Sequence, residues 1–398
     1  MSELSYLEKL LDGVEVEWVT LGSMADIGTG SSNRQDESEN GIYPFYVRSK
    51  NILKSDTFEF DEVAIVIPGE GGIGDIFHYV EGKYALHQRA YRIRITTNAV
   101  DTKFLYYFMS SSFKQYILTK SVGATAISIR KPMLEGFKVP IPSPDNPEKS
   151  LAIQSEIVRI LDKFTALTAE LTAELNMRKK QYNYYRDQLL SFEEGEVEWK
   201  SLEDIALFRR GSFPQPYGNS EWYDGEGCMP FVQVADVADS GFTLHTKTKQ
   251  QISKIAQSKS VFVEAGTIVV TLQGTIGRVA ITQYDCYVDR TLAIFTNFKV
   301  KINKKYFAYQ LKAKFDSEKE FARGSTLKTI TKEEFSKFQL PLPSINEQNR
   351  IVSLLDKFDT LAHSIKQGLP REIELRQKQY EYYRDLLFSF PKPETASN

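Results

Sequence analysis

Arg178-Lys179-Lys180-Gln181-Tyr182-Asn183-Tyr184-Tyr185-Arg186-Asp187-Gln188-Leu189-Leu190-Ser191-Phe192 occurs twice in this chain, the second time as the stretch from Arg376 to Phe390. The copies agree at 11 of 15 positions. Upstream, Ile160-Leu161-Asp162-Lys163-Phe164 is echoed by Leu354-Leu355-Asp356-Lys357-Phe358. A segment repeated at half the chain's length marks two similar units. Apolar residues at Ile153, Ile157, Ile160, Phe164, Leu167 and Leu171 step 4-3-4-3-4, the seam of a coiled coil. The seam continues through Leu175, Tyr182, Tyr185, Leu189 and Phe192 after one extra step of four, a local stutter. Forty helical residues make a rod of about 60 Å. The second copy carries Ile351, Leu354, Phe358, Leu361 and Ile365 on the same face. Gly368 and Pro370 then interrupt it and predict a kink or break. Two such seams in one chain predict helices that pack against each other.

The 398 residues allow two or three domains, and 41% hydrophobic with 26% charged residues is an ordinary globular composition. No apolar run reaches about 18 residues, so no membrane span is expected. Met1 to Leu11 has Glu3 and Glu8 and lacks the layout of a signal peptide. Cys228 and Cys286 stand far apart, which argues against a disulfide framework and for a reducing, cytoplasmic setting. The formal net charge is −2. Residues 14–144 hold 14 basic and 15 acidic side chains, and residues 196–340 hold 20 and 17. Neither half is the strongly basic body of a stand-alone nucleic-acid binder.

Taken in order, the halves share a framework. Glu15-Val16-Glu17-Trp18 matches Glu196-Val197-Glu198-Trp199, and Leu21, Ala25 and Gly30 match Leu202, Ala206 and Gly211. Strand-like runs lead into Gly71-Gly72-Ile73-Gly74 and into Gly274-Thr275-Ile276-Gly277. Helical stretches over 102–118 and 304–322 precede the loops Gly123-Ala124-Thr125 and Gly324-Ser325-Thr326. The exits Val139-Pro140-Ile141-Pro142 and Leu340-Pro341-Leu342-Pro343 set boundaries before each rod. The intervening loops and their polar residues differ. Leu10-Leu11 ahead of Trp18 looks like the tail of a third helix copy, which predicts a cyclic pair cut open at one join.

The Gly-x-Ile-Gly turns, the Gly324-Ser325-Thr326 loop leading to Ile330, the Pro341-Leu342-Pro343 exit with Glu347-Gln348 opening Ile351-Val352, and the duplicated rods carry a resemblance. Together they make the whole chain resemble the specificity subunit of a Type I restriction-modification enzyme. The first half departs from that pattern where Ile153-Gln154 replaces Glu347-Gln348 and where Ala124-Thr125-Ala126 replaces a more polar loop. The resemblance implies an α+β fold with two pseudo-symmetric α/β target-recognition domains, separated by long paired helices forming an antiparallel coiled coil. The expected division is a first recognition domain with an N-terminal helix fragment over 1–150, a central helix over 151–193, a second recognition domain over 194–344, and a C-terminal helix region over 345–392 broken near 368–370. It further implies double-stranded DNA, two modification (methyltransferase) subunits and restriction (motor-nuclease) subunits as partners. S-adenosylmethionine, ATP and Mg are then expected in those partners, with no cofactor in this subunit.

The residues agree with a non-catalytic role. Gly69, Gly71 and Gly74 have the spacing of a dinucleotide loop, yet strand-like text follows where a phosphate-cradling helix would start. Asp145, Glu148 and Lys149 read as linker, and His78, His87, His245 and His363 are too scattered for a metal site. For base reading, long polar side chains on loops are the candidates. They are Arg34, Arg48, Lys50, Gln88, Arg89 and Arg130 in the first half, and Arg209, Arg210, Gln215, Gln273, Arg278, Arg290 and Lys328 in the second. Tyr184 and Tyr382 fall off the seam and are candidates for partner contact. A competing class is a coiled-coil scaffold with two protein- or sugar-binding domains. A self-contained nuclease or methyltransferase lacks its motifs.

Overall fold

The computed structural model describes residues 6–120, 128–321, 332–364 and 367–392. Lys328, Ile365 and the two Gly-led loops at 123–125 and 324–326 lie outside these residues. The chain divides into two units, Met1–Glu170 with Glu374–Asn398, and Leu171–Ile373. In chain order the described helices are α1 (Tyr6–Leu11), α2 (Thr102–Lys120), α3 (Lys131–Glu135), α4 (Pro147–Leu190) and α5 (Leu202–Ile205). There follow α6 (Lys254–Gln257), α7 (Lys304–Phe321), α8 (Lys332–Ser336), α9 (Ile345–His363) and α10 (Leu369–Leu387). Helix α9 ends at His363 and α10 begins at Leu369, just after Gly368, whose φ of +90° is open to few other residues.

The strands of the first unit are β1 (Val16–Thr20), β2 (Ala25–Thr29), β3 (Tyr43–Tyr46), β4 (Leu53–Ser55), β5 (Phe60–Pro68), β6 (His78–Leu86), β7 (Ala90–Ile95) and β8 (Lys138–Pro142). Six of them form one sheet in the order β2-β7-β5-β6-β3-β4, and β1 pairs with β8. Val66, Ile67 and Ile65 are buried on β5, a continuous apolar run that suits a strand covered on both faces. Phe104, Phe108 and Phe113 of α2 pack in the core beside Ile65, Ile67 and Ile93. The C-terminal segment completes this core. Phe388 lies 5.6 Å from Phe104 and 5.5 Å from Phe108, ring centre to ring centre. Trp18 Nε1 donates to the Pro391 carbonyl at 2.8 Å.

The second unit repeats the plan with β9 (Glu198–Ser201), β10 (Ala206–Arg210), β11 (Met229–Val232), β12 (Gln250–Ile252), β13 (Val261–Val263), β14 (Ile268–Thr271), β15 (Val279–Ile281), β16 (Cys286–Val288), β17 (Leu292–Phe298) and β18 (Gln339–Leu342). Here the long sheet is split into β10-β17-β14-β15 and β12-β11-β16-β13, while β18 pairs with β9. The strand order is that of the first unit with β5 and β6 each broken in two. Both units use a parallel pair within otherwise antiparallel sheets, β3 with β6 and β11 with β16.

The long helices meet the globules through the same contacts in both units. In the first, Asp162 of α4 accepts from Tyr107 Oη and pairs with Lys103 Nζ, both at 2.7 Å. In the second, Asp356 of α9 accepts from Tyr309 Oη at 3.0 Å and pairs with Lys305 Nζ at 2.8 Å. Gln154 and Gln348 are both buried, and each side-chain oxygen accepts a backbone N–H just ahead of α2 or α7, from Asp101 at 2.8 Å and Asn303 at 2.9 Å. The glutamine common to Ile153-Gln154 and Glu347-Gln348 is thus the part that both units need.

The seam expected from the spacing divides in two. The fully buried line on α4 is Ile153, Ile157 and Leu161, packed into the globular core, with Ile160 and Phe164 half-buried on another face. Phe164 stacks on Tyr383 of α10 at 5.4 Å. The second unit matches it: Ile351 and Leu355 join Tyr306 and Tyr309 in the core, Leu354 is half-buried, and Phe358 stacks on Tyr185 at 5.6 Å. Leu167 and Leu361 are 36% and 37% exposed, so they lie outside the buried line, and Leu171 is half-buried. The reason is that each helix head serves two neighbours, its globule and a partner helix, and one stripe cannot face both. The head of α4 pairs with the end of α10, and the end of α4 with the head of α9, so the paired helices run antiparallel.

Candidate nucleic-acid interface

Each globule presents polar tips on a backbone turn that its fold places in the same way. In the first unit the turn His87-Gln88-Arg89 joins β6 to β7. His87 N donates to the Tyr46 carbonyl at 2.9 Å, and Gly69 N donates to the Arg89 carbonyl at 2.9 Å. In the second, Asp289-Arg290-Thr291 joins β16 to β17, Asp289 N donates to the Val232 carbonyl at 3.0 Å, and Leu272 N donates to the Thr291 carbonyl at 2.9 Å. The residue after this last bond is Glu70 in one unit and Gln273 in the other. The Gly-x-Ile-Gly turn then follows. A Cβ on Gly74 would lie 2.6 Å from Lys114 Cβ, and one on Gly277 2.6 Å from Phe315 Cβ, so both turns press on the next helix. Their φ values of +74° and +81° also favour glycine. These glycines shape the turn, and β6 rather than a helix follows the first of them.

In the first unit the tips converge. Arg48 Nη1 and Arg89 Nη1 both reach Glu70 Oε2, at 3.1 and 3.2 Å. Arg34, Arg48, Ser49, Asn51, Glu70 and His87 line one open cleft. Gln88 Nε2 donates to Asn33 Oδ1 at 2.5 Å, and Lys50 stands exposed on the loop after β3. Arg34 is exposed, its Nε 3.7 Å from Glu37. Arg130 is an exposed residue capping α3, next to Ile129, whose N–H bonds the Gly69 carbonyl at 2.8 Å. Burial, and then the charges of Arg48 and Arg89, hold the His87 imidazole below its usual pKa.

In the second unit the candidates separate. Arg290 is exposed and lies over the Tyr217 ring, 5.3 Å from its centre, while buried Asp289 accepts from Tyr217 Oη and, at 2.6 Å, from Thr291 Oγ1. Gln215 is exposed on the loop that carries Tyr217, and Gln273 is half-buried. Arg209 is exposed on β10 and Arg210 half-buried, opposite Ile294 and Ala293 of β17. Arg278 is turned inward: it pairs with Asp239 and donates to the Val237 carbonyl at 3.3 Å, bracing that loop.

Sequence reasoning did not single out Glu70, His87 or Asn33 as parts of this surface. The signal for Glu70 was present: aligning Gly69-Glu70-Gly71 with Leu272-Gln273-Gly274 puts it where Gln273 stands. On the helices, Tyr184 and Tyr382 are 61% and 67% exposed.

The family model for the Type I restriction modification DNA specificity domain matches residues 13–178 and again 194–375. The chain is 40% identical, over the full length of both chains, to the Type I restriction enzyme EcoR124I/EcoR124II specificity subunit of Escherichia coli. It is 33% identical to the EcoprrI specificity subunit of the same organism, covering 92% of this chain and 93% of that one. Its fold is similar to the crystal structure of the S subunit of a Type I restriction-modification system from M. genitalium, with a TM-score of 0.57 at 18% identity over 96% and 98% of the chains. Two domain matches, full-length relatives and a twofold-repeated fold agree: the chain belongs to the specificity subunits of Type I restriction-modification systems, the non-catalytic component that gives such enzymes their DNA sequence preference.

Proposed function

We propose that each unit reads one half of an asymmetric, bipartite DNA target, and that the long helices carry the catalytic partners. The observation behind this reading is the shared framework with unlike tips. At matching backbone positions the first unit has Arg48, Glu70, Gln88 and Arg89, and the second has Val234, Gln273, Arg290 and Thr291. A common scaffold fixes where a side chain meets the duplex, and a different side chain there selects a different base. The partners are two modification subunits, which methylate with S-adenosylmethionine, and restriction subunits, which use ATP and Mg. Tyr184 and Tyr382, repeated on α4 and α10, are the proposed contacts for the modification subunits.

Long-read sequencing of methylated bases in cells with and without this gene tests the reading. One gapped motif with two unlike halves should disappear with the gene. An unchanged methylation pattern, or the loss of a single ungapped motif, overturns it.

A further inference from the structure

The cleft of the first unit holds a group that attraction to phosphate does not explain. Glu70 sets a carboxylate between Arg48 and Arg89, where it repels a nucleic-acid backbone and neutralises the cations that would draw one in. Bracing the turn does not explain it either. The backbone bond from Gly69 to Arg89 already closes that turn, and the second unit makes the matching bond from Leu272 to Thr291 with Gln273, not a carboxylate, at the position of Glu70. Gln273 takes the matching position, with Val234 and Thr291 where the first unit has its two arginines.

We infer that the position held by Glu70 in one unit and Gln273 in the other determines base specificity within each half-site. This rests on the reading of both units as DNA readers. A carboxylate only accepts hydrogen bonds, and in the major groove it matches the cytosine N4 amino group, because the other donor, adenine N6, sits beside the N7 acceptor, which repels it. An arginine released from Glu70 matches O6 and N7 of the paired guanine, so the Arg48–Glu70–Arg89 cluster reads a C·G pair across both bases. The Gln273 amide both donates and accepts, the pattern that matches adenine N6 and N7. Among the described residues that amide makes no hydrogen bond that would have to be given up. The carboxylate thus serves selection at some cost in affinity, because it penalises every base lacking a donor at that place.

The test uses the assembled complex in cells, with Glu70→Gln and Gln273→Glu made separately and the methylated motif read by long-read sequencing. Glu70→Gln should shift one position of one half-site from cytosine toward adenine. Gln273→Glu should shift one position of the opposite half-site from adenine toward cytosine. In each case the half-site read by the unaltered unit and the gap stay as in the wild type. In competition between duplexes that differ at that pair, the preference should change roughly ten- to a hundredfold. Wild-type base preference at every position in both variants, or changes in the same half-site, overturns the assignment. If a variant gives no methylation, binding of the purified complex to duplexes substituted at each position decides: an unaltered ranking also overturns it. A wild-type motif without two gapped halves would instead sink the underlying reading, whatever the variants do.

Discussion

His78 lies under the loop that presents Arg48 and Lys50. Its Nε2 donates to the Ser49 carbonyl at 3.2 Å, and its ring meets Tyr46 at 5.1 Å. Burial lowers its pKa from 6.5 more than the bond to Ser49 raises it. His87 is lowered too, by burial and the neighbouring arginines. With both folded-state values below the unfolded one, the unfolded chain binds more protons. The stability these residues contribute is therefore complete above the unfolded value near 6.5 and falls as the pH drops below it. The thermal midpoint of the first unit should decline between about pH 7 and about pH 5.5, and His78→Gln should lessen that decline. Parallel declines in both proteins would refute the role of His78. At this scale the sequence was only partly legible. Long cationic and amide side chains stand out as candidate readers; Arg34 and Arg48 line one cleft, and Arg89 pairs with Glu70 of its lining. Arg278 has the same chemistry but faces its own Asp239, because pairing depends on loops distant in sequence. Glu70 is not among the long cationic and amide side chains that base reading singles out, and only the folded cluster brings it between Arg48 and Arg89.

The long helices were the most legible elements, since a 15-residue repeat with helical spacing leaves little choice. What periodicity does not give is the number of neighbours. It selected Ile160 and Leu167, whereas the globule takes Leu161, one residue and about 100° around the helix. The tyrosine pairs show how closely the two copies agree. Tyr184 meets Tyr185 at 5.3 Å and Tyr382 meets Tyr383 at 5.4 Å, both edge to face. Arg186 and Arg384 each sit 5.8 Å from the ring centre of the tyrosine one turn back. Tyr185 and Tyr383 are occupied with Phe358 and Phe164, which leaves Tyr184 and Tyr382 as the outward members. Tyr184→Asp combined with Tyr382→Asp should abolish co-purification with the methyltransferase subunit while changing folding stability by no more than about 0.5 kcal/mol per site. Normal co-purification of the double variant would remove the tyrosines from the interface.

For the whole molecule, charge is the informative quantity. A net charge of −2 provides little counterion release, and several cations at the candidate surface are already paired with Glu70 or Asp239. The isolated subunit should therefore bind its target duplex at least about 100-fold more weakly than the assembled complex at physiological salt. Titration of both against the same labelled duplex checks this, and equal affinities would count against the idea that partners supply the basic surface. The duplication was legible at this scale from paired motifs such as Trp18 with Trp199, whereas the order of strands in the sheets was not. The split of one long sheet into two was not, because it arises from breaks in two strands that leave the apolar pattern largely intact. The bond from Trp18 to Pro391 has a consequence for biosynthesis. Residues 171–373 form a contiguous unit, free to settle as soon as they clear the ribosome. The unit begun first is finished last, its apolar floor left open until Leu387, Phe388 and Phe390 emerge, an interval in which that surface is exposed to misassociation.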